Sequence, residues 1–138
     1  MRLDTPYIQR QLIAYLKAQG VTPVFSGIVP ENQKPPFVHL ADGAGVFVND
    51  DLTAMDGGEF DWTLTVVGKT HDQIDVLIIA LWAALNRPGE YFDIGTVRTC
   101  YCRVTGDTVS TSQEQDGGES SLIEYQLTVR IRIMMKED

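Results

Sequence analysis

The sequence predicts an α+β domain, a largely antiparallel β-sheet with two helices packed on one face. Three observations carry this. Within the long strand Leu122–Met134, residues Ile123–Ile133 alternate apolar and polar side chains without a break. Glu59–Val67 does the same. Two segments, one near the N-terminus and one at Thr70–Asn86, place apolar residues at helical spacing behind recognisable caps. Period-two alternation marks a strand with one buried face, and spacings of three and four mark a helix.

The C-terminal strand is the clearest element. Ile123, Tyr125, Leu127, Val129, Ile131 and Ile133 share one face, and Glu124, Gln126, Thr128, Arg130 and Arg132 share the other. At ~3.3 Å per residue it spans roughly 40 Å, about the width of a domain of this size. In the strand at Glu59–Val67, Phe60, Trp62, Leu64 and Val66 point one way and Glu59, Asp61, Thr63 and Thr65 the other. Long alternating strands favour antiparallel pairing. One polar face then sends both helices to the opposite side.

The first helix opens at Asp4 or Thr5 with Pro6 at its first turn, carries Ile8, Leu12, Tyr15 and Leu16 on one face, and stops at Gly20. Short side chains that accept hydrogen bonds suit the N-cap, and glycine suits the left-handed residue after a helix. The second helix opens on Thr70-His71-Asp72-Gln73, a capping box. Its main apolar face is Ile74, Leu77, Ile78, Leu81, Trp82 and Leu85, and Val76, Ile79, Ala80, Ala83 and Ala84 cover much of the rest. A helix apolar nearly all round calls for cover on more than one side: the sheet, and then the first helix, a loop or another subunit.

Val24-Phe25 is a short apolar pair, and shorter strands are expected at Phe37–Leu40, Val46–Val48 and Val97–Val104, the last with Thr99, Tyr101 and Arg103 opposite Arg98, Cys100 and Cys102. Asn49–Gly58 and Thr105–Ser121 are polar, acidic and glycine-bearing, and read as surface loops. No repeat or second domain is evident, so residues 1–138 are read as one domain.

Composition narrows the function classes. The chain has 138 residues, 43% hydrophobic and 22% charged, with a formal net charge of −8. Such acidity opposes binding to phosphate backbones and to anionic membranes. No apolar run reaches the ~18 residues of a membrane span, and the start MRLDTPYIQRQ lacks a signal-peptide core. A protein kept in a cytoplasm, or exported only within something larger, is expected. Cys100 and Cys102 are read as two reduced cysteines on one strand face, a poor geometry for a disulfide.

No catalytic constellation is present in the pattern. Gly43-Ala44-Gly45 leads into a strand, so it is no phosphate turn, and no G-x-S-x-G elbow exists. Ser110, Ser112, Ser120 and Ser121 have no histidine near in sequence. His39 reads as a satisfied strand residue and His71 as a solvated helix start. The cluster Asp42, Asn49, Asp50, Asp51 and Asp56 has oxygen ligands that a hard cation takes, but not the spacing of a calcium loop. The simpler reading is a solvated acidic loop. No catalytic residue, cofactor or metal ligand is assigned.

The order of elements resembles the tail terminator, or tail completion, proteins of long-tailed bacteriophages and prophages. The features are the first helix with Gln11-Leu12, Pro23-Val24-Phe25 followed by Val29-Pro30, and Pro35-Pro36-Phe37-Val38. They continue with Phe60-Asp61-Trp62-Thr63-Leu64-Thr65-Val66-Val67-Gly68, a polar cap, Ile74–Leu85, and Tyr125–Ile133. The likeness covers most of the chain and is thinnest over Ala41–Gly58. It implies a non-catalytic virion assembly protein of the tail or neck, assembled in the host cytoplasm. Such a protein forms a homo-oligomeric, hexameric ring that caps the tail-tube protein and docks the head–tail connector protein. DNA would pass through an acidic lumen without sequence-specific binding. Another neck or baseplate adaptor, or a small metal-binding domain, remains an alternative.

Candidate interface residues come from the sequence itself. Asp50, Asp51 and Asp56 lie in the first polar segment, and Glu114, Asp116 and Glu119 in the second. Both segments are expected to order on assembly. Arg98, Arg103, Arg130 and Arg132 sit on strand faces, where they can meet acids of a neighbouring subunit or remain solvated.

Overall fold

The structure, a computed structural model, describes residues 4–41, 43–50, 54–95, 97–113 and 121–134, with side chains except at 46–50, 54–56, 100, 112, 113, 121 and 134. In chain order the elements are α1 (Thr5–Ala18), β1 (Val24–Ser26), β2 (Phe37–Leu40), β3 (Ala44–Asp50), β4 (Ala54–Gly68), α2 (His71–Leu85), β5 (Phe92–Ile94), β6 (Val97–Gln113) and β7 (Ser121–Met134). The seven strands form one sheet in the order β1-β2-β4-β7-β6-β5, with β3 also paired to β4. Its pairs are antiparallel except β1 with β2. The fold class is thus α+β.

Both helices begin and end for local reasons. The Asp4 carboxylate accepts from Tyr7 N at 2.9 Å. Gly20, at φ +86°, closes α1 as a Schellman turn: Val21 N donates to Leu16 O at 2.9 Å and Gly20 N to Lys17 O at 3.1 Å. The Thr70 hydroxyl accepts from Gln73 N at 3.2 Å, while the Gln73 side chain accepts from Lys69 N at 2.9 Å. The reciprocal arm of the box therefore reaches one residue beyond the cap.

One buried cluster joins the layers. Ile8, Leu12, Tyr15 and Leu16 of α1 and Ile74, Leu77, Leu81, Ala84 and Leu85 of α2 meet Phe60, Trp62, Leu64 and Val66 of β4 and Leu127, Val129, Ile131 and Ile133 of β7. β4 and β7 pair from Gly57–Met134 to Gly68–Ile123, so the two strongest alternating segments are sheet neighbours. Gly43 and Gly45 let the chain approach the β4 aromatics. A Cβ at Gly43 would collide with the Trp62 indole, and one at Gly45 would lie 2.6 Å from the Phe60 ring. That close approach is the job of the Gly-Ala-Gly segment.

Three expectations need correction. Most of Asn49–Gly58 is not loop but the end of β3 and the start of β4, and Gly57 and Gly58 are buried within β4. Much of Thr105–Ser121 is likewise strand, since β6 runs on to Gln113 and pairs with β7 as far as Ser121. The regular alternation expected to put Cys100 and Cys102 on one face is interrupted between Thr99 and Tyr101. The register pairs Thr99 with Ile133 and Tyr101 with Arg132, leaving Cys100 as the extra residue of a bulge. A bulge reverses the alternation, so Thr99 and Cys102 both point into the core at 0% exposure. β5, unexpected from the sequence, pairs Phe92–Ile94 with Val97–Thr99.

Candidate functional site

The polar face of the sheet is built by three strands in register. Glu59 and Asp61 of β4 lie opposite Arg132 and Arg130 of β7, which lie opposite Tyr101 and Arg103 of β6. Arg130 Nε donates to Asp61 Oδ1 at 3.0 Å and Nη2 to Oδ2 at 3.4 Å, a two-pronged pair. Arg132 Nη1 lies 3.6 Å from Glu59 Oε1, which also accepts from the Tyr101 hydroxyl at 3.1 Å. Its hydrogen bond to Asp61, and then that carboxylate's charge, hold Arg130 protonated beyond the ordinary guanidinium range. Partial burial and then the bond to Glu59 push the Tyr101 phenol up.

Arg130 and Arg132 therefore have acidic partners within the chain. Arg98 and Arg103 differ: among the described residues neither has a carboxylate partner. The Arg98 guanidinium lies 5.4 Å from the Tyr91 ring centroid and that of Arg103 5.6 Å from the Tyr101 ring. Tyr91 itself is 66% exposed. The ladder's acids, Glu59 and Asp61, were visible as a polar strand face. Their pairing was not, because sequence alone does not say that β4 and β7 are neighbours.

Of the remaining expected interface residues, Asp51, Glu114, Asp116 and Glu119 lie outside the described residues. Asp50 and Asp56 are placed by backbone alone, near the end of the β3–β4 hairpin.

A second polar set locks the helices to β5. The Tyr15 hydroxyl donates to Ala84 O at 2.7 Å, joining α1 to the end of α2. Arg87 bonds Glu90 at 2.7 Å, reaches the Tyr15 hydroxyl at 3.5 Å and covers the Phe92 ring at 4.2 Å. The Thr99 hydroxyl donates to Phe92 O at 2.7 Å, satisfying a fully buried polar group. Burial pushes the Cys102 thiol up to about 12, so it stays protonated and unreactive. His39 Nε2 donates to Gly27 O at 2.7 Å, the satisfied strand histidine expected.

The helix side is open at one place. Val76 and Ile79 of α2 are each 69% exposed, so α2 has apolar surface that neither the sheet nor α1 covers. Beside it, Trp82 Nε1 donates to the Tyr125 hydroxyl at 3.0 Å, which donates to Asp107 Oδ2 at 2.7 Å. This chain ties α2 through β7 to the outer half of β6. Among the described residues, no group of three or more His, Cys, Asp or Glu side chains is placed to hold a metal ion, and no helix is long and apolar enough to cross a membrane.

This architecture, a curled, mostly antiparallel sheet with two helices on one face and a charged ladder on the other, defines the class of fold to be compared. No protein-family model matches the chain, and no curated protein matches its sequence. Among solved structures the fold is similar to a chain of the virion of a native gene transfer agent particle. The TM-score is 0.58 at 17% identity, covering 92% of this chain and 91% of that one. A second solved chain overlaps at TM-score 0.48 and 14% identity, covering 94% of this chain and 92% of that one, too distant to carry an argument. What is shared with the gene transfer agent chain at 17% identity is the fold.

Proposed function

We propose that this chain is a non-catalytic structural protein of a virion. More specifically, we propose that it caps the tail tube, stops its polymerisation and presents the surface on which the head–tail connector docks. The observation that carries the reading is the common fold, over nearly the whole of both chains, with a component of a gene transfer agent virion. The order of helices and strands that resembles tail terminators supports the finer part.

In this reading the chain assembles as a homo-oligomeric ring, a hexamer by the resemblance. Arg98 and Arg103, without acidic partners among the described residues, are the cations available to a neighbour's carboxylates. In the ladder face Arg130 and Arg132 are paired with Asp61 and Glu59, which suits a lumen wall. Arg103 at its β6 margin is the ladder cation left without an acid among the described residues, and its engagement by a neighbouring subunit would leave that face with little to hold a passing polyanion. Asp50, Asp51 and Asp56 of one polar segment and Glu114, Asp116 and Glu119 of the other are the acids expected to order against the tube and connector.

The test is assembly in vitro. Tail-tube protein polymerising with this chain should give shorter tubes bearing a terminal ring by negative-stain microscopy. Arg98→Glu with Arg103→Glu should abolish the ring while leaving the monomer folded. Unchanged tube lengths and no added density at tube ends at any ratio would overturn the reading.

A further inference from the structure

Among the described residues, the last strand but one is open along half its length. On the side away from β7, β6 is covered by β5 over Val97–Thr99, then by Arg87 N donating to Cys102 O at 2.7 Å, then by Asn86 Oδ1 accepting from Val104 N at 3.4 Å. Beyond Val104, among the described residues, β6 pairs with β7 alone. Thr105–Thr111 is exposed throughout. Such an edge leaves backbone donors and acceptors ready to pair with another chain, and proteins usually guard it with lysine, proline or brevity. The stretch TGDTVSTSQ, residues 105–113, has no proline and no cation. Its one irregularity is the bulge at Thr105, between Val104 and Gly106.

The space beside this edge is shaped for a strand. The register puts Asp107, Val109 and Thr111 on the same face as Leu127, Tyr125 and Ile123, the face the helices cover elsewhere. Here α2 does not reach across. A cleft of about 420 Å³ opens between α2 and β6, walled by Ile78, Val109 and Tyr125 and carrying the carboxylates Asp75 and Asp107. Val109 is 64% exposed. An added strand would slide beneath α2, pair along β6, and place every second side chain in the cleft.

We propose that the free edge of β6, residues 105–113, is a β-augmentation site. It takes an extended segment of a different polypeptide with a basic and an apolar residue two positions apart, opposite Asp107 and Val109. Charge selects a foreign partner over a second copy. Among the described residues the chain's other edge strands, β1, β3 and β5, contain no lysine or arginine, nor does the open half of β6 itself, and the chain carries −8 overall. A second copy therefore offers Asp107 and Asp75 no cation from an edge strand. The inference stands on the edge and the cleft, and does not require the tail-capping reading.

The probe is a blocked nonapeptide of threonines with one lysine and one valine two positions apart, titrated into the isotope-labelled full chain by NMR. Shifts and slowed amide exchange are expected along residues 105–113 and on the α2 residues that wall the cleft. Replacing the peptide's lysine by glutamate should weaken binding. Asp107→Lys should weaken the lysine peptide about fivefold and favour the glutamate one, the scale of an exposed ion pair made and reversed. Val109→Lys, on an exposed site that leaves the fold intact, should also lose the lysine peptide. Equal binding of the two peptides, no response along β6, or exchange protection there that rises with protein concentration alone would each overturn the proposal, the last by assigning the edge to a second copy. No tube protein is present, so failure here leaves tail capping standing, and failure to cap tubes leaves the edge standing.

Discussion

The two halves of β6 have opposite surroundings. The first half, Val97–Val104, lies between β7 and the β5 segment, and buries Val97, Thr99 and Cys102 completely. The second, residues 105–113, has β7 on one side, nothing described on the other, and exposed side chains from Thr105 to Thr111. Hydrogen-bond pairing to β7 is common to both. What differs is lateral cover and the helix layer above. Backbone pairing makes a strand, but burial makes it stable, and an arm with one neighbour opens more readily than one with two.

The comparison can be broken at its strongest point. Ile131→Ala, in a fully buried β7 position paired with Cys102, should cost ~2–5 kcal/mol by loss of apolar burial and a residual cavity. Val109→Ala, on the open half, should stay within ~0.5 kcal/mol. Urea denaturation of both variants decides it. Equal losses would mean that the outer arm is as firmly packed as the inner half.

A smaller effect concerns pH. The folded state holds the Cys102 thiol up at about 12 against an ordinary value of 9.0. Below pH 9 both states keep the proton, and the contribution is fully present. As pH rises from about 9 toward 12 the unfolded chain loses a proton that the native one retains, so stability falls by up to ~1.4 kcal/mol per unit. Cys102→Ala should remove that part of the slope when midpoints are compared between pH 8 and about 10, while the share of Tyr15, Tyr101 and Tyr125, all raised from 10.0 chiefly by burial, enters near pH 10 and is common to both proteins. An unchanged slope would show that the inner half is wetter than its packing implies.

The smallest effect sharpens the contrast from the other face. A double-mutant cycle of Glu59→Ala and Arg132→Ala should give a coupling of ~0.2–1 kcal/mol, shrinking with salt, since both side chains are over a third exposed. A larger, salt-independent coupling would make the ladder a structural brace rather than a surface pattern.

The legible parts of the fold were those with a buried face. β7 and the inner half of β4 alternate because one side meets the helices, and both helix starts were visible in Asp4 and Thr70. The outer half of β6 is polar on both faces, so period two left no trace and TGDTVSTSQ read as loop. Gly57-Gly58 closed a polar segment that read as a surface loop, yet these residues sit in β4 beside Met134 and Ile133. The bulges at Cys100 and Thr105 have no signature in residue type, and each shifts the phase of the residues after it. β5 is too short to show a period. Of the site, the arginines Arg130 and Arg132 were identified as surface charges. Their in-chain partners waited on knowing which strands are adjacent.

The unguarded edge of β6 bears on how the protein keeps in solution. A pairing-competent strand left uncovered is a nucleus for association between like molecules, and here the restraint is colloidal. Each molecule carries −8, and mutual repulsion holds the edges apart across a Debye length of ~10 Å at 0.1 M salt. Concentrated stocks in high salt or near the isoelectric point give up that protection first. Low ionic strength and neutral pH are the conditions that preserve the free chain.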